Sequence, residues 1–297
     1  MRVLVTGING FVGGHLARAL AERGDALIGI DRSETSFADE YRCCALDDIA
    51  AVHRILSETA PDSIVHLAGT RNPADVQKTN VLGTSVLLDA VAEHARPIRV
   101  VIVGSSAMYG NSSDRAPLTE DAAVQPATPY GSSKAAADLL AQEVFALKGL
   151  PIMRARPFNI IGPCQRGDYV TAVCAMQLVR IERGLQPPIV KLGSLDAYRD
   201  FLDVRDLVRG LLAIIERGQP GEAYNVCSGA SVSIRAIVDK LCSLIANPVT
   251  VESSPPRADD VPFQIGSFAK LRAHTGWSPQ IALEQSLHDI LDDWRRD

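Results

Sequence analysis

The sequence predicts an α/β protein built on a doubly wound parallel sheet, with a smaller, less regular C-terminal lobe. Three observations carry this. Short β-branched runs alternate with alanine- and leucine-rich amphipathic stretches, the pattern of strands joined by crossover helices. The strand-like runs are almost wholly apolar, as in a sheet covered on both faces. A glycine-rich turn, Thr6-Gly7-Ile8-Asn9-Gly10-Phe11-Val12-Gly13-Gly14, joins the first strand to the first helix.

In chain order, Val3-Leu4-Val5 is the first strand and a helical pattern covers 12–23. Residues 26–30 form the second strand and 49–58 a helix. Strands at 63–66 and 99–103 enclose a helical pattern over 81–95, and a helix over 131–147 leads to a strand at 152–156. After Pro163 the texture changes. Pro187-Pro188, Pro220-Gly221 and Pro255-Pro256 punctuate shorter segments. One of these, 223–227, is apolar enough to return to the main sheet. No repeat or flexible linker separates the two parts.

With 297 residues and 46% hydrophobic content, the chain can bury a full core. Its 30 basic residues are outnumbered by 35 acidic ones, which argues against a nucleic-acid partner held by bulk charge. No apolar run approaches the roughly eighteen residues of a membrane span. The N-terminus opens on a strand rather than a secretory signal, so a cytoplasmic location is expected. The six cysteines lack CxxC spacing and read as thiols of a reducing compartment. The histidines show no ligand spacing, so no metal is expected.

Glycines at the first turn let a backbone approach a pyrophosphate, and the following helix offers N–H groups and a favourable dipole. Gly7, Gly10, Phe11, Val12 and Gly13 are therefore candidate cofactor-binding residues. A GxxGxxG string alone is weak; its place after the first strand of an alternating pattern strengthens it. Asp31 ends the second strand, where an acid accepts hydrogen bonds from the ribose hydroxyls of NAD. Arg32 beside it suits the 2′-phosphate of NADP, so NAD is favoured and NADP stays open. The expected organisation is a dinucleotide-binding domain over 1–163, with the strand near 223–227 returning to it, and a mainly substrate-binding lobe over 164–297.

Tyr130 and Lys134 stand four residues apart and share one helix face. An ammonium and an oxidised nicotinamide both favour the phenolate, which equips the tyrosine to exchange a proton with a sugar oxygen. At this spacing alone, the two would usually be mere surface neighbours. Upstream, Gly104-Ser105-Ser106-Ala107-Met108-Tyr109-Gly110 follows a strand and offers a hydroxyl to a reacting carbonyl.

Together the glycine turn, Asp31, Asn80-Val81-Leu82-Gly83-Thr84, the serine segment and the Tyr130–Lys134 pair resemble the extended short-chain dehydrogenase/reductase family, over nearly the whole chain. The resemblance implies a Rossmann fold, an NAD(P) cofactor also contacted by Leu67, Ala68, Asn80, Tyr130, Lys134 and Pro157, and catalysis by Ser105, Tyr130 and Lys134, with Ser106 as the alternative hydroxyl. Arg156-Pro157-Phe158-Asn159-Ile160-Ile161-Gly162-Pro163 is similar to the family's substrate-facing segment. Arg199-Asp200-Phe201 and Tyr224-Asn225-Val226-Cys227-Ser228-Gly229 resemble GDP-mannose 4,6-dehydratases and, more so, GDP-4-keto-6-deoxy-mannose reductases. On that resemblance Ser106, Asn159, Lys191, Arg199, Arg257 and Asp260 contact a nucleotide-sugar. An ion pair of Arg199 with Asp200 or Asp203 is the competing role. The family's loop after His66-Leu67-Ala68-Gly69 is longer than the 70–79 segment here.

The family supports several reactions. A 4,6-dehydratase carries an acid just after its catalytic hydroxyl, where this chain has Ser106 and Ala107; GDP-fucose synthases carry a cysteine where Ala107 stands. Reduction of a GDP-linked 4-keto-6-deoxy-hexose is the expected activity. The alternatives are 4-epimerisation with retained NAD, and a non-catalytic nucleotide-binding protein on the same fold. The resemblance also implies a homodimer joined through the helices near 81–95 and 131–147.

Overall fold

The structure is a computed structural model and describes residues 1–33, 38–111, 115–167, 169–256 and 261–296. The first part runs β1 (Arg2–Thr6), α1 (Phe11–Glu22), β2 (Ala26–Asp31), β3 (Glu40–Cys43), α2 (Ile49–Thr59), β4 (Ser63–His66), α3 (Gly83–Glu93), β5 (Arg99–Val103), α4 (Pro129–Lys148) and β6 (Ile152–Pro157). The second runs β7 (Asn159–Ile161), α5 (Val170–Glu182), β8 (Ile189–Leu192), β9 (Tyr198–Asp203), α6 (Val204–Arg217), β10 (Ala223–Val226), β11 (Ser231–Ser233), α7 (Ile234–Cys242), β12 (Thr250–Ser253), α8 (Ala269–Thr275) and α9 (Leu283–Arg296).

Seven strands pair in the order β10-β6-β5-β4-β1-β2-β3, all in parallel. The strand order reverses between β1 and β4, and the crevice outside the carboxyl ends of such a pair is where open α/β sheets bind ligands. Thr6 pairs with Ile30 on one side and His66 on the other, so β1, β2 and β4 end level and their loops meet. Helices α2, α3 and α4 bury one face with Leu4, Ile64, Val100 and Ile152. On the other face Val3, Val5, Leu16 and Leu20 pack with Leu207, Leu211, Ile214, Tyr224, Leu271 and Trp277. The chain after Pro163 is thus not confined to the lobe, since α6, β10 and α8 belong to the main layers. What remains forms a separate core of α5, α7 and α9 around Phe201 and Val190, beside the sheets β11-β9-β7 and β12-β8.

Local chemistry places the ends of the functional helix. Thr128 accepts a hydrogen bond from Gly131 N at 3.1 Å, and Pro129 occupies the first helical position. Gly149 ends α4 in the left-handed conformation, φ 64°. The pattern read over 81–95 begins earlier, as a wide π-type turn at Lys78–Leu82 that runs into α3. The short polar strand β3 had no apolar signal to announce it. No helix among the described residues is long and apolar enough to cross a membrane.

Below α4, Asp138 accepts from Arg154 at 2.9 Å and from Arg156 at 2.7 and 3.0 Å. The two arginines are alternate residues of β6 and so face the same side; all three side chains are under a tenth exposed. Arg156 also donates to the Tyr109 hydroxyl and the Glu120 carbonyl. Tyr109 in turn donates to Asn225 Oδ1 at 2.8 Å, which reaches β10. Replacing Asp138 by Ala leaves two buried guanidinium groups without their anion. The unfolding free energy, measured by urea denaturation, is expected to fall by about 3–5 kcal/mol.

Candidate active site

The sequence-predicted cofactor residues converge where β1, β2 and β4 end. Gly7 adopts φ 72°, and a Cβ there would lie 2.7 Å from Ala68 N. At Gly13 a Cβ would meet the Ile8 carbonyl oxygen at 2.3 Å. Both positions therefore require glycine, and the turn folds tightly against the Leu67-Ala68 backbone. Helices α2, α4, α6 and α7 each begin with a side-chain cap. Helix α1 begins at Gly10 with no side-chain cap and no acid in its first turn. Its N–H groups and positive dipole end are left to an outside anion.

Asp31 accepts from the backbone N–H of Asn9 at 3.0 Å and of Arg32 at 2.7 Å, which holds the carboxylate at the lip of the turn. Asn9 donates to Ser33, while its Oδ1 is buried without a partner, an acceptor ready for a ligand donor. Uncapped helix, glycine cradle, orphaned acceptor and an acid at the end of β2 together fit a dinucleotide.

Asn80 lies behind this crevice. It accepts from Thr70 N at 2.8 Å and donates to Thr70 O at 3.0 Å and Ser133 Oγ at 2.9 Å. With 1% exposure its amide is committed to joining the β4 loop to α4, so it shapes the crevice rather than facing it. Pro157 ends β6 with its side chain buried.

Ser105 precedes a single 3-10 turn, Ser106–Met108, and accepts from Ala107 N at 3.2 Å. Burial pushes the Tyr130 phenol up, while hydrogen bonding from Ser105 and the charge of Arg71 hold it down. Serine and tyrosine thus stand close enough to interact. Lys134 differs: its ammonium donates to the Val103 carbonyl at 2.9 Å, one turn along α4, and burial brings it down to about 8. Ser106 does not face the substrate side. It is buried, donates to Gln264 Oε1 at 2.9 Å and receives Gln264 Nε2 on its carbonyl, so Ser105 is the presented hydroxyl. Gln264 also donates to Gly110 O at 3.0 Å and ties the C-terminal segment to this turn.

Of the expected substrate residues, Asn159 donates to Asp200 O at 3.2 Å from β7. Lys191 is exposed on β8, 3.5 Å from Glu252. Arg199 donates to Tyr198 O at 2.9 Å. Asp200 accepts from Ser228, Gly229 and Gly266, and Asp203 from Arg205 and Ser286. Arg257 and Asp260 lie outside the described residues.

Two contacts escaped the sequence reading: Arg71 and Tyr169 beside Tyr130, and the Gln264–Ser106 link. Neither has a spacing signal, because each joins loops distant in the chain. Among the described residues no acid stands beside Ser105. Asp138 is taken by its arginines, and Glu120 accepts from Asn225 N at 2.7 Å.

A glycine cradle at the switch point of a parallel sheet, with a serine, a tyrosine and a buried lysine across from it, defines a nicotinamide-dependent enzyme of the extended short-chain dehydrogenase/reductase class. Residues 4–290 match the model of the GDP-mannose 4,6-dehydratase family, and the chain belongs to that family. It is an NAD(P)-dependent enzyme that modifies a nucleotide sugar. A GDP-6-deoxy-D-mannose reductase of Pseudomonas aeruginosa is 34% identical, over 99% of this chain and 97% of its own length. The structure of RMD from Pseudomonas aeruginosa complexed with NADPH superposes with a TM-score of 0.89 at 33% identity, covering 99% of both chains. UDP-glucose 4-epimerase of Thermotoga maritima, solved with UDP-glucose, gives 0.88 at 26% identity over 100% of this chain and 99% of its own.

The crevice floor carries its own pH dependence. Thr84 Oγ1 donates to Asn80 O at 2.7 Å and so accepts from His66 Nε2 at 3.0 Å. His66 Nδ1 is then the acceptor for Thr6 Oγ1 at 2.7 Å, whose oxygen receives Ala68 N. Only neutral imidazole completes this chain. Burial, aided by the charge of Lys134, pushes His66 from 6.5 down to about 3. The unfolded chain therefore binds the extra proton between those values, and stability present above pH 6.5 is lost as pH falls toward 3. Unfolding free energies of wild type and His66→Gln, measured across this window, are expected to differ in slope, the variant falling less steeply by up to about 1.4 kcal/mol per pH unit.

Proposed function

We propose that the protein reduces the keto group of a GDP-linked 4-keto-6-deoxy-hexose, GDP-4-keto-6-deoxy-mannose in the first instance, using NAD(P)H. The observation that carries this reading is the Ser105–Tyr130 pair with Ala107, rather than a carboxylate, beside it. Dehydration requires removal of a carbon-bound proton and expulsion of a hydroxyl, for which an acid/base residue at this turn would be needed. Reduction requires only a proton donor and a carbonyl anchor. The identity to the Pseudomonas reductase across the full chain supports the same activity.

The cofactor would be held by the Gly7–Gly13 turn, the start of α1 and Asp31, and when bound it supplies the hydride. Ser105 donates a hydrogen bond to the substrate carbonyl oxygen and fixes its direction. Tyr130 delivers its proton to that oxygen as negative charge develops there. Lys134, charged at neutral pH, is held one turn along α4 by the Val103 carbonyl. Asp31 supports NAD, since a carboxylate repels a 2′-phosphate. Arg32 and the NADPH in the Pseudomonas structure support NADP. Asn159, Lys191, Arg199, Arg257 and Asp260 are proposed to receive the nucleotide-sugar. A dimer through α3 and α4 is proposed from the exposed Leu82 and Leu139 at the start of α3 and on α4.

A second reading, 4-epimerisation, is favoured by the fold similarity to UDP-glucose 4-epimerase and needs the same three residues. Purified protein mixed with GDP-4-keto-6-deoxy-mannose and either NADH or NADPH should consume the reduced cofactor stoichiometrically, followed by absorbance. Tyr130→Phe should lose this activity while retaining its thermal stability and cofactor binding. Absent consumption, with NAD recovered from the denatured protein, would establish the epimerase instead. Light scattering should give twice the chain mass; a strictly monomeric mass at high concentration would refute the dimer.

A further inference from the structure

Arg71 occupies an unusual place for a charged loop residue. It follows β4 by a few positions, at the start of the short 70–79 segment that Asn72 braces by accepting from Ala74 N at 3.1 Å and donating to Asp75 at 3.1 Å. The Arg71 guanidinium carbon lies 5.8 Å from the centroid of the Tyr130 ring and 5.6 Å from that of Tyr169. Among the described residues it makes no hydrogen bond and no ion pair. What holds it is the faces of two aromatic rings, one from α4 and one from the residue that precedes α5. Such stacking restrains a planar guanidinium and keeps its charge unneutralised.

The groups that face Tyr130 can be named by element. Ser105 approaches from the turn after β5, Tyr169 from the lobe, Arg71 from the loop after β4, and Lys134 from α4 itself, where it donates to Val103 O. Among the described residues no carboxylate joins them, and Tyr169 itself pushes the phenol up. Arg71 is the cation that acts on the phenol, and it acts to favour the ionised form.

We propose that Arg71, clasped between Tyr130 and Tyr169, is a positioning residue that supplies the electrostatic assistance to Tyr130 which the Lys134 ammonium, engaged with Val103, leaves incomplete. This rests on the reading of Tyr130 as the proton donor. The lobe joins in through Tyr169, so the assistance depends on the two parts of the chain standing together across the cleft. The short 70–79 segment is what makes this contact: braced at Asn72, it keeps Arg71 at the mouth of the site.

The test uses Arg71→Met, which removes the charge and keeps the length, and Arg71→Lys, which restores it. Phenolate absorbance of the cofactor-free protein is titrated against pH, and the Tyr130→Phe titration is subtracted to isolate Tyr130. In Arg71→Met the Tyr130 transition is expected to move to higher pH, with Arg71→Lys between that and wild type. In the reduction assay the fall of kcat/KM on the alkaline side should move the same way, and kcat at neutral pH should drop by about fivefold. An unmoved titration and unmoved alkaline limb, with KM raised alone, would make Arg71 a substrate ligand and overturn the proposal. The titration is independent of turnover. If Tyr130→Phe proved fully active, the catalytic reading would fall while the titration still decided the role of Arg71.

Discussion

A carboxylate gripped by two guanidinium groups, Asp138 with Arg154 and Arg156, is the constraint on which the active-site geometry depends. Taking three charges out of water costs several kcal/mol each, and their attraction offsets this only with close geometry and full hydrogen bonding. The geometry is close here, and every guanidinium nitrogen but the buried Arg154 Nε has a partner. Arg156 bonds Asp138 on the helix of Tyr130 and Lys134, and also the hydroxyl of Tyr109, four residues beyond Ser105. One guanidinium therefore serves as common reference for the tyrosine helix and the serine turn. Hydrophobic packing alone would permit α4 to slide on the sheet; the directional bonds oppose that movement. Held between regular elements in this way, catalytic groups keep their mutual distances without help from the ligand.

The floor of the crevice uses the same device with neutral groups. Thr6, His66, Thr84 and Asn80 pass hydrogen bonds from the end of β1 to the π-type turn before α3, and Asn80 carries the connection on to Ser133. The donors and acceptors of this chain are matched to one another, so the loop after β4 is located from below. The glycine turn above it is defined by exclusion instead, since backbone atoms fill the space where side chains would stand. At the rim, by contrast, the start of α1 has no side-chain cap and Asn9 Oδ1 has no partner, and a ligand would complete both.

Much of this was legible in the sequence, for reasons that differ by region. The central strands are apolar runs bounded by turn residues, and β4 and β5 have the bounds the pattern predicts. Ser105, Tyr130 and Lys134 sit on or beside regular elements, so spacing along the chain translates into proximity. β3 was missed because Glu-Tyr-Arg-Cys at a sheet edge carries no hydrophobic run. The π-type turn at Lys78–Leu82, which has no periodic apolar signature, moved the start of the helix near residue 81. Lys134 was expected to serve the phenol directly; the open carbonyl of Val103 claims its ammonium. Arg71 and Gln264 owe their roles to contacts between segments that periodicity does not relate, one across the cleft and the other from the far end of the chain. Ser106 shows the limit of motif reasoning, because adjacent hydroxyls in one turn point to opposite sides.

The return of α6, β10 and α8 to the main sheet has a bearing on how the chain comes into being. The apolar side of α1, with Leu16 and Leu20, is covered by Leu207, Leu211 and Ile214 of α6. During vectorial synthesis, the nucleotide-binding half leaves the ribosome with that side bare, and the β6 edge without its neighbour, until residue 226 has followed. Over that interval the first half exposes aliphatic surface and an open strand edge, features that favour association. A chain cut near the apparent boundary at Pro163 would yield two fragments that each lack part of a shared core.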